Sequence, residues 1–284
     1  MAGFIAWSLI GCTGGEVRPT KIFFSSDRDG QFAIFVMDGN GDDVTRLTDP
    51  AISCDYPAAS RDGAKIVFIG LNGGQYDIYT MTSDGSKQVR LTNDAAIEQN
   101  PSFSYDGSQI TFSSDAGGRV HVYRMDTDGS NRSQVTQGQF DNFAPRFSPS
   151  GAKIAFFSQR GFGTEVFLVN TDGSGEEQVS VNENTWDAWP CFTHDGQAVL
   201  MSEYDPLKDT DKLVRLNLAT RATTVLHEDV GSVFNVSLAS DGRHVAYALS
   251  VAGNTEIALK RIGSSTRQIL TNHAADDQSP SFGD

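Results

Sequence analysis

The chain has 284 residues and carries 36 acidic against 22 basic side chains, a net charge of −14. That balance argues against a nucleic-acid partner, which needs a basic stripe to displace counterions, and favours a soluble surface that attracts cationic partners or metal ions. Three cysteines, Cys12, Cys54 and Cys191, make neither a disulfide framework nor a zinc-type cluster, so free thiols are expected.

The first twelve residues differ from everything after them. Phe4-Ile5-Ala6-Trp7-Ser8-Leu9-Ile10 is apolar, and Leu9-Ile10-Gly11-Cys12 resembles a bacterial lipobox, in which the cysteine is lipidated and becomes the mature N-terminus. Residues 1–20 are therefore expected to be a leader and a flexible tether, with lipidation at Cys12 and a periplasmic or cell-surface location. The alternative is a fortuitous apolar N-terminus, since no Lys or Arg precedes the run. No other stretch approaches the length of a membrane span, so membrane contact is expected only through such an anchor.

From Lys21 onward one unit repeats. A proline recurs at Pro57, Pro101, Pro145, Pro190 and Pro280, with Asn235 in its place once, at steps of 44 or 45 residues. About five residues later comes Asp62-Gly63, Asp106-Gly107, Ser150-Gly151, Asp195-Gly196 or Asp241-Gly242. A period near 45 with strand-like content indicates propeller blades, because one such unit cannot bury its own apolar face.

Residues 100–142 show the grammar. Asn100-Pro101-Ser102-Phe103-Ser104 is a short extended strand, its proline expected at an exposed or strand-initial place. Tyr105-Asp106-Gly107-Ser108 turns the chain, and Gln109–Ser114 alternates polar with apolar. After Asp115–Gly118, Val120–Met125 is a third strand; Asp126–Ser130 turns again, and Gln134-Val135-Thr136 closes the unit. The turn glycines Gly41, Gly85, Gly129 and Gly173 stand 44 apart, as do the Leu-Thr-like strand ends at Leu47, Leu91 and Val135. The fifth and sixth copies have drifted, with Ala219-Thr220 and Gly263-Ser264 in place of the Asp-Gly turn.

The ends complement each other. The first copy begins with a second strand, Lys21-Ile22-Phe23-Phe24, whereas Ser279-Pro280-Ser281-Phe282-Gly283 is a first strand with nothing after it. The expected fold is all-β: a six-bladed propeller over 21–284, closed by the C-terminal strand pairing into the N-terminal blade.

The pattern Pro-x-Phe-Ser-x-Asp-Gly-x-x-Ile-x-Phe-x-Ser followed by Val-Tyr-x-Met-Asp-x-Asp-Gly-Ser-Asn resembles the WD-like repeat of the TolB-type six-bladed propeller. The resemblance implies a periplasmic or cell-surface binding platform, and in TolB the propeller docks a peptidoglycan-associated lipoprotein on the face bearing the channel mouth. TolB also carries a separate domain before its propeller. Only about twenty residues precede the first blade here, which points away from a role in the Tol machinery. Similar repeats occur in prolyl-oligopeptidase-like enzymes, but this chain has no Gly-x-Ser-x-Gly elbow.

Loops joining one blade's fourth strand to the next blade's first should converge on the channel mouth, where binding residues are expected. The candidates there are Asp55, Tyr56, Gln99, Asn100, Asp141, Phe143, Trp186, Asp187, Trp189, Phe234 and Asp277. Acidic side chains suit a cationic peptide loop, and the tryptophans suit a sugar stacked on them. For any single residue the competing reading is structural: carboxylates that merely solvate loops, and Trp189, Tyr56 and Phe143 packed between blades. A ring of Asp55, Asp141, Asp187 and Asp277 could capture a cation, and Asp126–Asn131 faintly resembles a calcium loop, yet hairpins select Asp-Gly for backbone reasons alone. No metal, cofactor or catalytic residue is expected, the five histidines sharing no spacing. The reading is a monomeric, non-catalytic platform for a protein or cell-wall partner; the alternative is a carbohydrate-active or hydrolytic enzyme working at the mouth.

Overall fold

The computed structural model describes residues 21–181, 184–229, 231–251 and 253–283. The expected leader, including Cys12, lies outside the described residues. Six four-stranded antiparallel sheets follow one another, and no helix occurs among the described residues. Their inner strands are Cys54–Ala59, Glu98–Phe103, Asn142–Phe147, Trp186–Phe192, Ser232–Leu238 and Asp277–Gly283. Each touches the next around the axis, the last touching the first.

Blade 1 is the composite one. Its inner strand Asp277–Gly283 pairs antiparallel with Lys21–Ser26, from Lys21↔Gly283 to Ser26↔Asp277. The two ends of the chain therefore share one sheet, as expected. The fit is close: a Cβ on Gly283 would stand 2.3 Å from the Phe23 ring.

The core sits between blades rather than within one layer. Six apolar clusters fill the six gaps; one joins Phe24, Phe35 and Phe282 of blade 1 to Ile257 and Leu259 of blade 6, so the seam resembles the other joints. Blades 1 to 4 each place a second-strand phenylalanine directly opposite a third-strand aromatic: Phe24–Phe35, Phe68–Tyr79, Phe112–Tyr123 and Phe156–Phe167, at 5.6–5.9 Å. Such cross-strand pairs stabilise a sheet beyond their buried area. Blade 5 pairs Met201 with Val214, and blade 6 pairs Tyr247 with Ala258. The drift seen in the turns thus extends inside.

Two features of the repeat have one cause. At Gly41, Gly85, Gly129 and Gly173 φ is positive, and a Cβ would meet the carbonyl oxygen of Leu270, Leu47, Leu91 or Val135 in the preceding blade at 2.5–3.0 Å. The glycine is needed both for its backbone angle and for blade-to-blade approach. In the adjoining Leu-Thr ends, the hydroxyls of Thr48, Thr92, Thr136 and Thr271 accept from the third-strand N–H groups of Ile34, Ile78, Val122 and Ile257 at 2.8–3.0 Å.

The proline expectation is corrected. Pro57, Pro101, Pro145, Pro190 and Pro280 are buried inside the inner strands, neither exposed nor strand-initial. Each follows a residue with positive φ: Tyr56, Asn100, Ala144, Trp189 and Ser279, at 48–55°. There the register slips, so that two residues oppose one, as between Asp55 and Ala58. A β-bulge leaves one residue without ladder bonds, and that vacancy accommodates a proline within a strand. In blade 6 the left-handed residue is Asn235, φ 53°. Val236 therefore occupies the proline position, and Asn235 corresponds to Asn100.

Candidate functional site

The bulges decide what faces the axis, since a bulge re-aims the side chain it carries. Tyr56 in blade 2 and Trp189 in blade 5 lie on opposite inner strands, and their rings stack at 6.5 Å. Phe157 meets Trp189 edge-on at 5.4 Å and stacks on Phe143 at 5.5 Å, while Phe234 lies 6.5 Å from Trp189. Of the eleven candidates, four aromatics are thus brought together into a plug across the channel. Burial pushes the Tyr56 hydroxyl up to about 12, against the opposing bond to the Asn100 side chain. Asn100 is itself buried, with Gln99 half-buried beside it.

The candidate carboxylates do not form a ring. Asp55 accepts from Ser25 Oγ at 2.5 Å, from its neighbour's N–H on Tyr56 at 2.6 Å and from Gln278 Nε2 at 2.9 Å. It therefore ties blade 2 to composite blade 1, and burial pushes its carboxyl up despite those bonds. Asp277 is buried and pairs with Arg28 at 2.9 Å. Asp187 is buried as well. Asp141 is partly exposed, accepting from the Val120 N–H at 3.1 Å, with Arg119 at 3.7 Å. Among the described residues no three His, Cys, Asp or Glu side chains form a group that could hold a metal.

The turn carboxylates are used in the hairpins. Asp106 accepts from Ser104 Oγ at 2.7 Å and from the Ser108 N–H at 3.0 Å, bonds that hold it down at about 2. In the calcium-like loop Asp128 accepts from Ser130 and Asp126 from Asn131. These are turn-capping bonds.

Trp186 parts company with Trp189. It is 46% exposed on the loop face and meets Tyr204 edge-on at 5.7 Å. Its indole lies where a Cβ on Gly163 would stand, 2.6 Å from Cδ1. With Phe162, Gly163, Pro206 and Leu207 it lines a cleft of about 510 Å³ between blades 4 and 5. Phe162 is fully exposed and Leu207 is 83% exposed. Both lie at the tips of second-to-third-strand hairpins, a loop type not considered in the sequence reading. An apolar residue inside a turn, Arg160-Gly161-Phe162-Gly163, was the available signal.

On the far side of the plug the channel widens into a cavity of about 170 Å³ that reaches the first turns. There the Tyr105 hydroxyl bonds His194 Nδ1, and His194 Nε2 donates to the Ala239 carbonyl at 2.8 Å. Arg61 stacks over Tyr105 at 3.9 Å. None of these turn residues belonged to the predicted mouth.

Residues 51–214, more than half of the chain, match the sequence profile of the TolB beta propeller domain. The chain belongs to that family. No curated protein sequence matches it. Among solved structures, TolB from Acinetobacter baumannii is similar with a TM-score of 0.80 at 18% identity, covering 93% of this chain; the chain spans 66% of that TolB. The nidogen/laminin complex structure has a chain similar at TM-score 0.75 and 11% identity, covering 93% of this chain and 98% of that one. Oligogalacturonate lyase from Vibrio parahaemolyticus is similar at 0.61 and 11% identity, covering 90% of this chain and 75% of the lyase. At such identities the likeness concerns the fold.

Proposed function

We propose that this propeller is a non-catalytic binding platform that docks a protein partner on its loop face, anchored in the cleft between blades 4 and 5. One observation carries the reading: Trp186, Phe162 and Leu207 stand exposed around a preformed cleft on an otherwise acidic molecule. Exposed apolar side chains that cluster at a cleft mark interaction sites, and a tryptophan held by its neighbours contributes affinity with little ordering cost. The partner would insert an apolar side chain from a basic segment, complementary to the net charge. The fold's use in the nidogen/laminin complex and the TolB family membership support docking as the function. Against an enzyme at the mouth, Asp55 is engaged across the joint between blades 2 and 1 and Asp277 with Arg28 inside blade 1, rather than the two being paired around a substrate.

The test is capture from envelope extract by the immobilised protein. Trp186→Ala should lose about tenfold or more of the captured partner, the loss typical of a hot-spot truncation. Unaltered capture would remove the cleft from the site. A cell-wall fragment whose binding is lost in the same variant would redirect the reading to a glycan.

We also infer a propeller domain over 21–284 that works as a monomer at the periplasmic or outer cell surface, tethered by residues 1–20 through lipidated Cys12. In cells, Cys12→Ser should release the protein from the membrane fraction; retention there would refute the anchor.

A further inference from the structure

The cavity behind the plug has an unusual lining. Acidic residues outnumber basic ones in the chain, yet no Asp or Glu lines this space, whereas Arg146 and Arg61 do. Arg146 projects from the inner strand of blade 4. Its Nη1 donates to the Pro145 carbonyl at 3.0 Å, and among the described residues it makes no ion pair. A guanidinium has five N–H donors in a planar fork, so most of its capacity is unspent.

An unmatched charge in a confined site is costly, and burial accordingly pushes the Arg146 pKa down. The neighbouring Cys191 thiol does not supply the counter-charge, because burial pushes it up and keeps it protonated near neutral pH. The hydroxyls of Ser102 and Ser281 add polar contacts, and Pro57, Pro101, Val236 and Phe282 supply apolar walls.

We propose that this axial cavity binds a small organic carboxylate, gripped by the Arg146 guanidinium. The fork matches a carboxylate bidentately, one anion balances one cation, and the apolar walls suit a short hydrocarbon remainder. The volume equals that of about six liquid waters. The carboxylate belongs either to a free acid or to the C-terminus of a peptide entering past Tyr105 and His194. This site is independent of the docking cleft and survives its failure.

Calorimetric melting of the full chain tests the proposal, since a ligand specific to the folded state raises the melting temperature. Acetate, succinate or benzoate at about 20 mM should raise it by about 1 °C or more over chloride at equal ionic strength. The shift should vanish in Arg146→Gln and persist in Trp186→Ala. A short peptide with a free C-terminus, compared with its amide, separates the two sources: a shift with the free-ended peptide alone assigns the peptide. Independently of any variant, the active carboxylate should slow alkylation of Cys191, which lines the cavity, without slowing that of Cys54. No shift with any carboxylate or peptide, a shift that survives Arg146→Gln, a stronger effect of phosphate, or unprotected Cys191 would each overturn the assignment.

Discussion

Trp186 and Trp189 stand three residues apart in one inner strand and have opposite fates. Trp189 occupies the bulge, with φ 55°, and its ring turns to the axis to meet Tyr56, Phe157 and Phe234. Trp186 precedes the bulge and rests on the rim against Tyr204, about half of it open to solvent. A single slipped residue separates an aromatic packed at the axis from one left on the rim, because it changes which face of the strand each presents. The axis of this propeller is filled by aromatic packing on one side, whereas the docking cleft proposed above lies off-axis.

The strongest way to break that comparison is to open the ring. Deleting residues 278–284 removes most of the strand paired with Lys21–Ser26 and uncovers the cluster containing Phe24 and Phe35. The melting temperature should fall by about 10 °C or more, since the loss is comparable with a typical domain's whole stability. An unchanged transition would show that the seam does not hold the wheel together. Next comes the plug. Trp189→Ala empties the centre of the aromatic cluster and should cost about 2–4 kcal/mol in denaturant unfolding. Trp186→Ala should alter stability by no more than about 0.5–1 kcal/mol while lowering partner capture by about tenfold or more. If the two variants proved equally destabilising, the distinction between plug and rim would collapse.

The fold was legible because its causes are local and repeated. Asp-Gly turns and alternating strands state the same backbone requirement in most blades, the two ends complement each other once, and Gly85 and Thr92 keep their spacing because each has counterparts in three other blades that abut or bond the equivalent neighbour. The candidate site was only half legible. Tyr56, Phe143, Trp189 and Phe234, expected as binding residues, meet in one aromatic cluster through Trp189 and Phe157, a packing that the sequence hides because a left-handed residue before proline leaves no mark in composition. Asp55 and Asp277 looked like mouth charges because their partners, Gln278 and Arg28, lie 223 and 249 residues away. Phe162, Leu207 and Arg146 were missed for the converse reason: nothing in the sequence says which hairpin tip or strand position faces an empty space.

The smallest predicted effect concerns Asp55, at the seam between blades 1 and 2. Burial raises its folded-state pKa above the ordinary value of 3.8. For an acid shifted in that direction, the stability linked to the protonated form is fully present below the unfolded pKa and is lost as pH rises through the folded one. Ionised Asp55 is therefore a liability at pH 7. Asparagine mimics the protonated carboxyl: its oxygen still accepts from Ser25 Oγ and the Tyr56 N–H, and Gln278 need only turn its amide to present oxygen to the new NH₂. Asp55→Asn should match or exceed the wild type at pH 7, within about 1 kcal/mol, and the gap should close on acidification towards pH 4. Melting curves at several pH values would decide. A variant that is less stable at pH 7, with the deficit shrinking in acid, would mean that the carboxylate's bonds outweigh its burial and that the charge itself fastens the seam.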